Sequence, residues 1–395
     1  MARGCDVVVF SPRGRYQTNV EYLDGVQYRH VSKALFDTLI GQTVFRINAK
    51  IPRLEYALRK RPFFASTLHQ FSYILRVAKD LQAMKCDIVH IHEESQFIPI
   101  IRLLNPKIRI VLHMHCVWLT QLDHEMVEQR IKKADLILGC SNYITEHIRK
   151  EFPSLAERCH TLYNGVDLSI YSYNPKNKHN ENELKRLLTV GRVTPEKGLH
   201  VLLEALKEVV ERNLRVHLDI IGPLDAFALG NIIWLSEDEN VRRLETFHEK
   251  GSLREYYNYL ERKLISLNIS DKVAFRGQIP HNETVKFYQA ADIFIQPSII
   301  PEPFGIPIIE AMACRVPVIA SRVGGIPEII ENDGSGILVE AGDSHSLAFA
   351  IIELLSDEDL RIKMGELGRA RSESFSWDKI SANLLRLYEG MSTSM

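Results

Sequence analysis

The most informative stretch is Pro301-Glu302-Pro303-Phe304-Gly305-Ile306-Pro307-Ile308-Ile309-Glu310, which follows the apolar run Asp-Ile-Phe-Ile-Gln-Pro at 292–297. A short buried strand, a loop rich in proline and glycine, and a helix opening at Pro307 form the repeating unit of an α/β protein. Backbone N–H groups at such a helix start are unpaired and lie at the positive end of the helix dipole. The pattern predicts an anion, such as a phosphate, on Gly305 and Ile306.

Two carboxylates flank this helix start. Glu310 is one turn into the helix, where it could accept hydrogen bonds from a vicinal diol such as a ribose, and Glu302 on the loop could meet a sugar hydroxyl. The alternative for Glu310 is that it only complements the helix dipole. The segment by itself leaves both interpretations open.

Composition indicates a globular protein of two domains. The chain has 395 residues, of which 25% are charged and 45% hydrophobic, and a formal net charge of -1. This balance gives no overall attraction to nucleic acid or anionic lipid. We find no apolar run of membrane-spanning length and no signal peptide, and we therefore expect a cytoplasmic protein. The six cysteines form no CxxC pair, which predicts reduced, mostly buried thiols.

Strands and helices alternate along both halves of the chain, which predicts α/β architecture with two doubly wound parallel sheets and an active site in the cleft between them. A polar segment at 171–183 marks the join, so the predicted domains are 1–170 and 171–375, with a terminal helix at 376–395. The predicted strands are 6–10, 87–92, 108–113, 135–140 and 159–163 in the first half, and 187–191, 216–222, 273–277, 293–296, 316–320 and 336–339 in the second. The predicted helices of the first half are 67–84, 121–133 and 142–151.

Histidines follow two strands of the first half. His92, His113 and His115 lie at predicted carboxyl ends, where an imidazole faces the ligand crevice; the alternative is that they are structural histidines. A His-x-His pair could suggest a metal, but no third ligand is spaced nearby along the chain, so we predict no metal site.

Cations occur at two further places. Arg192 and Lys197 follow the first strand of the second half, where they could neutralise a diphosphate or simply be solvated. The basic segment Arg46 to Arg61 predicts either peripheral contact with an anionic membrane or an ordinary solvated face.

Five motifs in order resemble those of retaining glycosyltransferase family four, the group 1 glycosyl transferases, and the resemblance covers nearly the whole chain. It implies the GT-B fold, with two facing Rossmann-like domains. The motifs are Asn164-Gly165-Val166-Asp167, Gly191-Arg192 to Lys197-Gly198, Phe275-Arg276-Gly277, the pair Glu302 and Glu310 with seven residues between them, and Ser321 to Glu328 followed by Gly334 and Gly336.

The resemblance also implies roles for individual residues. His115 would lie against the donor sugar and Glu302 would contact it, both as catalytic residues, with His92 at a second crevice position. No metal and no cofactor would be needed, and the helix after Phe375 would cross back onto the first domain. The diphosphate of the nucleotide would bind Arg192 and Lys197, and its ribose would bind Glu310. The backbone of Phe304, Gly305 and Ile306 would also contact the donor. The base would lie near Arg276 to Ile279.

One departure from the family is the start of the chain. A strand, a glycine-rich loop and a helix that precede the equivalent of residues 3–10 in the family are missing here, which predicts that neighbouring strands lack a partner.

The predicted function is transfer of a hexose from a UDP-sugar or GDP-sugar to a glycan, lipid or small-molecule acceptor. It would take place in the cytoplasm or peripherally at the inner face of the membrane, with no nucleic acid as partner. The alternatives are a sugar-nucleotide 2-epimerase, a phosphorylase with a pyridoxal-binding lysine, and a truncated relative that binds nucleotide sugar without catalysis.

Overall fold

The computed structural model describes residues 4–14, 18–32, 37, 60–174, 184–224, 241–242, 244–247, 253–330 and 334–392. The chain forms two compact units. The first comprises Met1–Leu138 and His147–His160, and the second comprises Gly139–Glu146 and Thr161–Met395. This division into units does not test the predicted domain limits, so the boundary after residue 170 remains a prediction.

The described strands of the first unit form two sheets. In the first sheet β1 (Val8–Pro12) pairs in parallel with β3 (Val26–Val31), and β2 (Val20–Leu23) pairs antiparallel with β3. The second has the order β4 (Ile88–His92), β5 (Arg109–Met114), β6 (Leu136–Gly139) and β7 (Cys159–Thr161). Among the described strands, β1 and β4 each have a single neighbour. The hairpin of β2 and β3 was not predicted, whereas the other five strands lie where the sequence places them.

The helices of the first half have an apolar face at helical spacing. In α1 (Phe71–Met84) that face is Tyr73, Ile74, Val77, Ala78 and Leu81, all buried. Asp123 caps the helix that begins at His124 by accepting a hydrogen bond of 2.9 Å from the Met126 N–H. The other α-helices in the described part of this half are α2 (Ile98–Leu104), α3 (Trp118–Gln121), α4 (His124–Ile131) and α5 (Asn142–Glu151). The first residues of α5 belong to the second unit.

The second unit is built on one sheet of six strands, and every neighbouring pair in it is parallel. The order is β10 (Val273–Gly277), β9 (Val216–Ile221), β8 (Lys185–Val190), β11 (Ile293–Gln296), β12 (Val318–Ser321) and β13 (Ile337–Val339). From β8 the chain continues to β9 and β10 on one side of the sheet, and from β11 it continues to β12 and β13 on the other side. The strand order therefore reverses between β8 and β11. In doubly wound sheets, ligands bind outside the carboxyl ends of the strands at this reversal point.

The described α-helices of the second unit cover an apolar core in which β8, β9, β11 and the helix Leu199–Glu211 contribute fully buried Leu, Ile and Val side chains. They are α6 (Leu199–Glu211), α7 (Leu253–Ser266), α8 (His281–Ala290), α9 (Ile306–Ala313), α10 (Ile326–Ile329), α11 (Ser344–Ser356), α12 (Glu358–Ser372) and α13 (Trp377–Ser392).

Candidate active site

The loop between β11 and α9 has the predicted form. Gly305 precedes α9 with φ of +126°, and no side chain among the described residues caps the helix. Pro307 carries no N–H and the Ile308 N–H donates to the Gly305 carbonyl at 3.0 Å, so the N–H of Ile306 is the one that this helix start can offer an anion. The Phe304 ring is buried, with its centroid 5.8 Å from that of Tyr163 and 5.6 Å from that of Phe375. The buried Phe304 side chain holds the loop in place, so the backbone groups of the loop are available to a ligand.

Two glycines let neighbouring backbone approach this loop. Gly198 has φ of +66°, and a Cβ there would lie 1.9 Å from the Pro297 carbonyl oxygen. Gly324 has φ of +56°, and its Cβ would lie 2.1 Å from the Glu302 carbonyl oxygen, which also accepts a hydrogen bond of 2.8 Å from the Gly325 N–H. Any side chain at either position would displace the loop.

Glu302 and Lys197 meet because they follow β11 and β8, the two strands at the reversal point. Lys197 Nζ lies 2.5 Å from Glu302 Oε1, and Ser298 Oγ donates to the same oxygen at 2.5 Å. Burial would raise the pKa of Glu302, but the charge and hydrogen bond of Lys197, the Ser298 hydroxyl and Arg192 outweigh it, so the pKa is lowered. Glu302 is therefore a buried, ionised acceptor at neutral pH.

Arg192 lies on the same turn as Lys197. Its Nη2 is 3.2 Å from Oε1 of Glu196, a charge contact without hydrogen-bond geometry, and Glu196 is buried while the Arg192 side chain is 37% exposed. The turn thus presents two cations, each matched by one carboxylate. A diphosphate could share both charges.

Glu310 is almost completely buried, at 4% exposure, among side chains of α8. Tyr288 OH donates to its Oε2 at 2.7 Å, and His281 Nε2 lies 3.5 Å from its Oε1. Burial raises the pKa of Glu310, although the Tyr288 hydroxyl and His281 act in the opposite direction. Glu310 is the fifth residue of α9, beyond the first turn where a carboxylate interacts best with the dipole. This position favours a ligand-binding role over the dipole alternative.

Arg276 has a partner of its own. Its Nε donates to Asp219 Oδ1 at 2.6 Å, between the edge strand β10 and its neighbour β9. Asp219 is buried, whereas 42% of the Arg276 side chain is exposed, and Ile279 in the following loop is half-buried. An exposed guanidinium beside a half-buried aliphatic side chain is compatible with the predicted nucleobase position and does not establish it.

In the first unit, the histidines cluster more closely than predicted. His92 Nδ1 and His115 Nε2 are joined by a hydrogen bond of 2.9 Å. Glu93, in a left-handed conformation with φ of +68°, accepts hydrogen bonds from the His115 N–H and from Cys116 Sγ. Burial raises the pKa of Glu93 more than these bonds lower it. Ligand atoms of His90, His92 and His113 lie within 4.8 Å of one another. Of the His-x-His pair considered in the sequence, His113 and His115, only His113 belongs to this set, and the other two members come from the adjacent strand β4. Spacing along the chain does not record that proximity.

Sequence reasoning missed the side chains that hold the predicted ones in place. Ser298 and Tyr288 are the direct partners of Glu302 and Glu310. Gln296 also reaches Glu302, at 3.4 Å, and a glutamine closing an otherwise apolar strand was a signal that could have been used. Nothing in the single sequence marks Tyr288.

The basic segment predicted to contact a membrane lies outside the described residues except at its end. There, Arg61 Nη2 forms an ion pair of 2.9 Å with Asp123 Oδ1. No helix in the described ranges is both long and apolar enough to cross a bilayer.

Comparison with known families assigns both halves of the chain. A family model described as glycosyl transferases group 1 matches residues 173–371, and one described as glycosyltransferase family 4 matches residues 1–170. Spore coat protein SA of Bacillus subtilis is 25% identical over 404 residues, covering 98% of this chain and 91% of that protein. D-inositol 3-phosphate glycosyltransferase of Corynebacterium urealyticum is 28% identical over 293 residues, covering 70% of this chain and 63% of that protein.

Solved structures share the fold. Sucrose-phosphate synthase from Thermosynechococcus elongatus superposes with a TM-score of 0.73 at 21% identity, covering 100% of this chain and 91% of that one. Anabaena Alr3699/HepE, solved with UDP and glucose, has a TM-score of 0.64 at 20% identity, covering 85% of this chain and 84% of that one. The predicted α/β, GT-B fold class is confirmed.

Proposed function

The chain belongs to the glycosyl transferases group 1 and is a glycosyltransferase, and we propose that it moves a hexose from a nucleoside diphosphate sugar to an acceptor hydroxyl with retention at the anomeric carbon. The observation that carries this proposal is the pairing of Lys197 with Glu302 at the reversal point of the second sheet, beside the uncapped start of α9. A cation, an ionised acceptor and the N-terminus of a helix at one place suit a sugar joined to a diphosphate.

The diphosphate is assigned to Lys197, Arg192 and the backbone of Gly305 and Ile306. Negative charge grows on the diphosphate as the glycosidic bond breaks, and fixed cations stabilise that state more than the ground state. Lys197 would then be shared between Glu302 and the phosphate oxygens. The same charges make the nucleoside diphosphate a better leaving group.

Glu302 is assigned to a hydroxyl of the transferred sugar. Because its pKa is lowered, it carries no proton to give at neutral pH, and it acts as a hydrogen-bond acceptor rather than a general acid. Glu310 is assigned to the ribose diol, since Oε2 accepts from Tyr288 and Oε1 lies 3.5 Å from His281, outside hydrogen-bond distance for that pair. The Tyr171 hydroxyl also interacts with this carboxylate. The base is assigned to the loop from Arg276 to Ile279.

His115 keeps the role that the family resemblance implies, contact with the donor sugar. Replacing it by alanine is expected to lower turnover more than donor affinity, whereas Glu310→Ala mainly weakens donor binding. Equal and negligible effects of the two changes would refute both assignments.

The relatives narrow the first substrates to test. Sucrose-phosphate synthase and D-inositol 3-phosphate glycosyltransferase are named for a sugar phosphate and an inositol phosphate. Alr3699/HepE was solved with UDP-glucose. We therefore take a uridine diphosphate hexose as the first donor and a guanosine diphosphate hexose as the second. Glycan, lipid and small-molecule acceptors all remain in the proposal, and transfer is proposed to need no metal or bound cofactor.

A thermal-shift screen of UDP, GDP and ADP tests the donor site, since a ligand that binds only the folded state raises its melting temperature. Transfer is then followed by NMR, with an α-linked donor expected to give an α-linked product. An inverted product refutes retention, and no shift with any nucleotide refutes the donor site. UDP release without an acceptor would indicate the 2-epimerase, and a shift without turnover the non-catalytic binder.

A further inference from the structure

Four histidines of the first unit share one face of two neighbouring strands. His90 and His92 alternate along β4, and the parallel register sets His92 opposite His113 of β5. His115 follows two residues later. The ring centroids of His90 and His92 are 4.7 Å apart, those of His90 and His113 5.2 Å, and those of His113 and His115 4.2 Å.

We propose that His90, His92 and His113 bind a divalent transition-metal ion such as Zn²⁺. One nitrogen from each imidazole lies within 4.8 Å of the others. Ligands about 2.05 Å from a tetrahedral ion are about 3.3 Å apart, so the rings need to close by about 1.5 Å at most. The proposal requires the side chains to rotate by this amount while the strands stay in place.

The chemistry of the three side chains suits a transition metal, because a neutral imidazole offers a nitrogen lone pair to the ion. A site made of imidazoles selects zinc, copper or nickel over magnesium or calcium, which prefer oxygen ligands.

Access and orientation follow from the same geometry. His113 is buried at 5% exposure, whereas His92 is exposed, so the ion enters from the His92 side. The hydrogen bond of 2.9 Å between His92 and His115 fixes the orientation of the His92 ring, as an outer partner commonly does for a metal ligand. The carboxylate of Glu93 accepts from the His115 N–H and from Cys116, and it is not among the three ligands.

The transfer reaction as proposed uses no metal, although His115, which it assigns to the donor sugar, is the outer partner of the ligand His92. Binding of the ion predicts a stabilisation that can be measured by itself. An ion that binds the folded chain raises its melting temperature whether or not the chain transfers sugar. A chain that binds no metal could therefore still bind the nucleotide, and a chain that binds no nucleotide could still bind the metal.

The direct test is titration of the whole chain with Zn²⁺ against a chromogenic chelator, together with visible absorption of the Co²⁺ form. One ion per chain is expected, and His90→Asn and His113→Asn should each weaken binding at least about 10-fold, the lower end of what even an outer-shell partner contributes. His345→Asn is the matched control, because His345 is exposed and pairs with Glu208 in the second unit. It should keep the affinity of the unaltered chain.

A second measurement needs no variant. Zn²⁺ should protect His90 and His92 of the unaltered chain from acylation by diethyl pyrocarbonate, as read by peptide mass spectrometry, and should leave His345 reactive. The proposal is overturned if the chain binds no Zn²⁺, if His90→Asn and His113→Asn bind it as tightly as the control, or if the ion leaves His90 and His92 as reactive as before.

Discussion

Replacing Glu310 by glutamine separates the two interpretations of this residue. The change keeps the shape of the side chain and its hydrogen bond from Tyr288, but it removes the charge and turns one acceptor oxygen into an amide donor. Glu310 is only 4% exposed, so solvent cannot compensate for either change.

If Glu310 binds the ribose, the variant loses at least one hydrogen bond to a charged acceptor, at the oxygen that Tyr288 does not use. Such a bond contributes about 1.5–3 kcal/mol. Donor affinity should therefore fall about 10- to 150-fold. If Glu310 only complements the helix dipole, affinity should be unchanged.

Stability should move the other way. Because the folded chain raises the pKa of Glu310, its contribution favours folding below the ordinary glutamate pKa and is lost as pH rises through the folded value. Above the folded pKa the buried charge opposes folding, so Glu310→Gln should unfold there at the same or a higher temperature than the unaltered chain. This advantage should grow as pH rises from the ordinary glutamate pKa through the folded value. The dipole interpretation instead predicts a loss of about 0.3–1 kcal/mol.

The assay is calorimetric titration with the best nucleotide from the screen, paired with thermal unfolding across pH. Glu340→Gln is the matched control, because it makes the same chemical change at an exposed position of the same unit. Unchanged affinity together with a lower melting temperature would refute the assignment of the ribose to Glu310.

Three further predictions concern the neighbouring residues. Lys197→Met leaves Glu302 buried without its cation and should cost about 3–5 kcal/mol in denaturant unfolding, most of it recovered when Glu302→Gln is added. Since the pKa of Glu302 is lowered, this cost should shrink as pH falls through that value; a cost independent of pH would count against the ion pair. Gly324→Ala should lower the free energy of unfolding by at least about 1–3 kcal/mol and weaken nucleotide binding, because the new Cβ would clash with the backbone of Glu302 in the loop before α9. Arg276→Ala should lower the free energy of unfolding by about 1–3 kcal/mol, because it leaves Asp219 without its 2.6 Å partner. Unchanged nucleotide affinity in this variant would show that Arg276 has a structural role only.

Local signals predicted the individual elements well. The helix over 142–151 has the predicted bounds, and each predicted strand of the second half overlaps an observed one. The hairpin of β2 and β3 was missed although Asp24 and Gly25, with φ of +49° and +79°, are a strong turn signal. Its strands are short and, in β2, entirely exposed, so they lack the apolar run that identified the others.

Contacts between elements could not be predicted in the same way. Lys197 and Glu302 were each selected from local sequence, but their pairing depends on β8 lying next to β11. The three close histidines depend on the register of β4 against β5, and the buried setting of Glu310 depends on Tyr288 of α8. Strand order, register and helix packing are decided by long-range contacts that no spacing along the chain records.

Hydrogen–deuterium exchange with the bound nucleoside diphosphate tests the location of the donor site most directly. Protection is expected in three segments that are far apart in sequence, at 191–198, 276–279 and 302–310, with Glu340→Gln behaving as the unaltered chain. Glu310→Gln should lose the protection at equal nucleotide concentration. Protection confined to other segments, or a nucleotide that binds without slowing exchange in 302–310, would contradict the account.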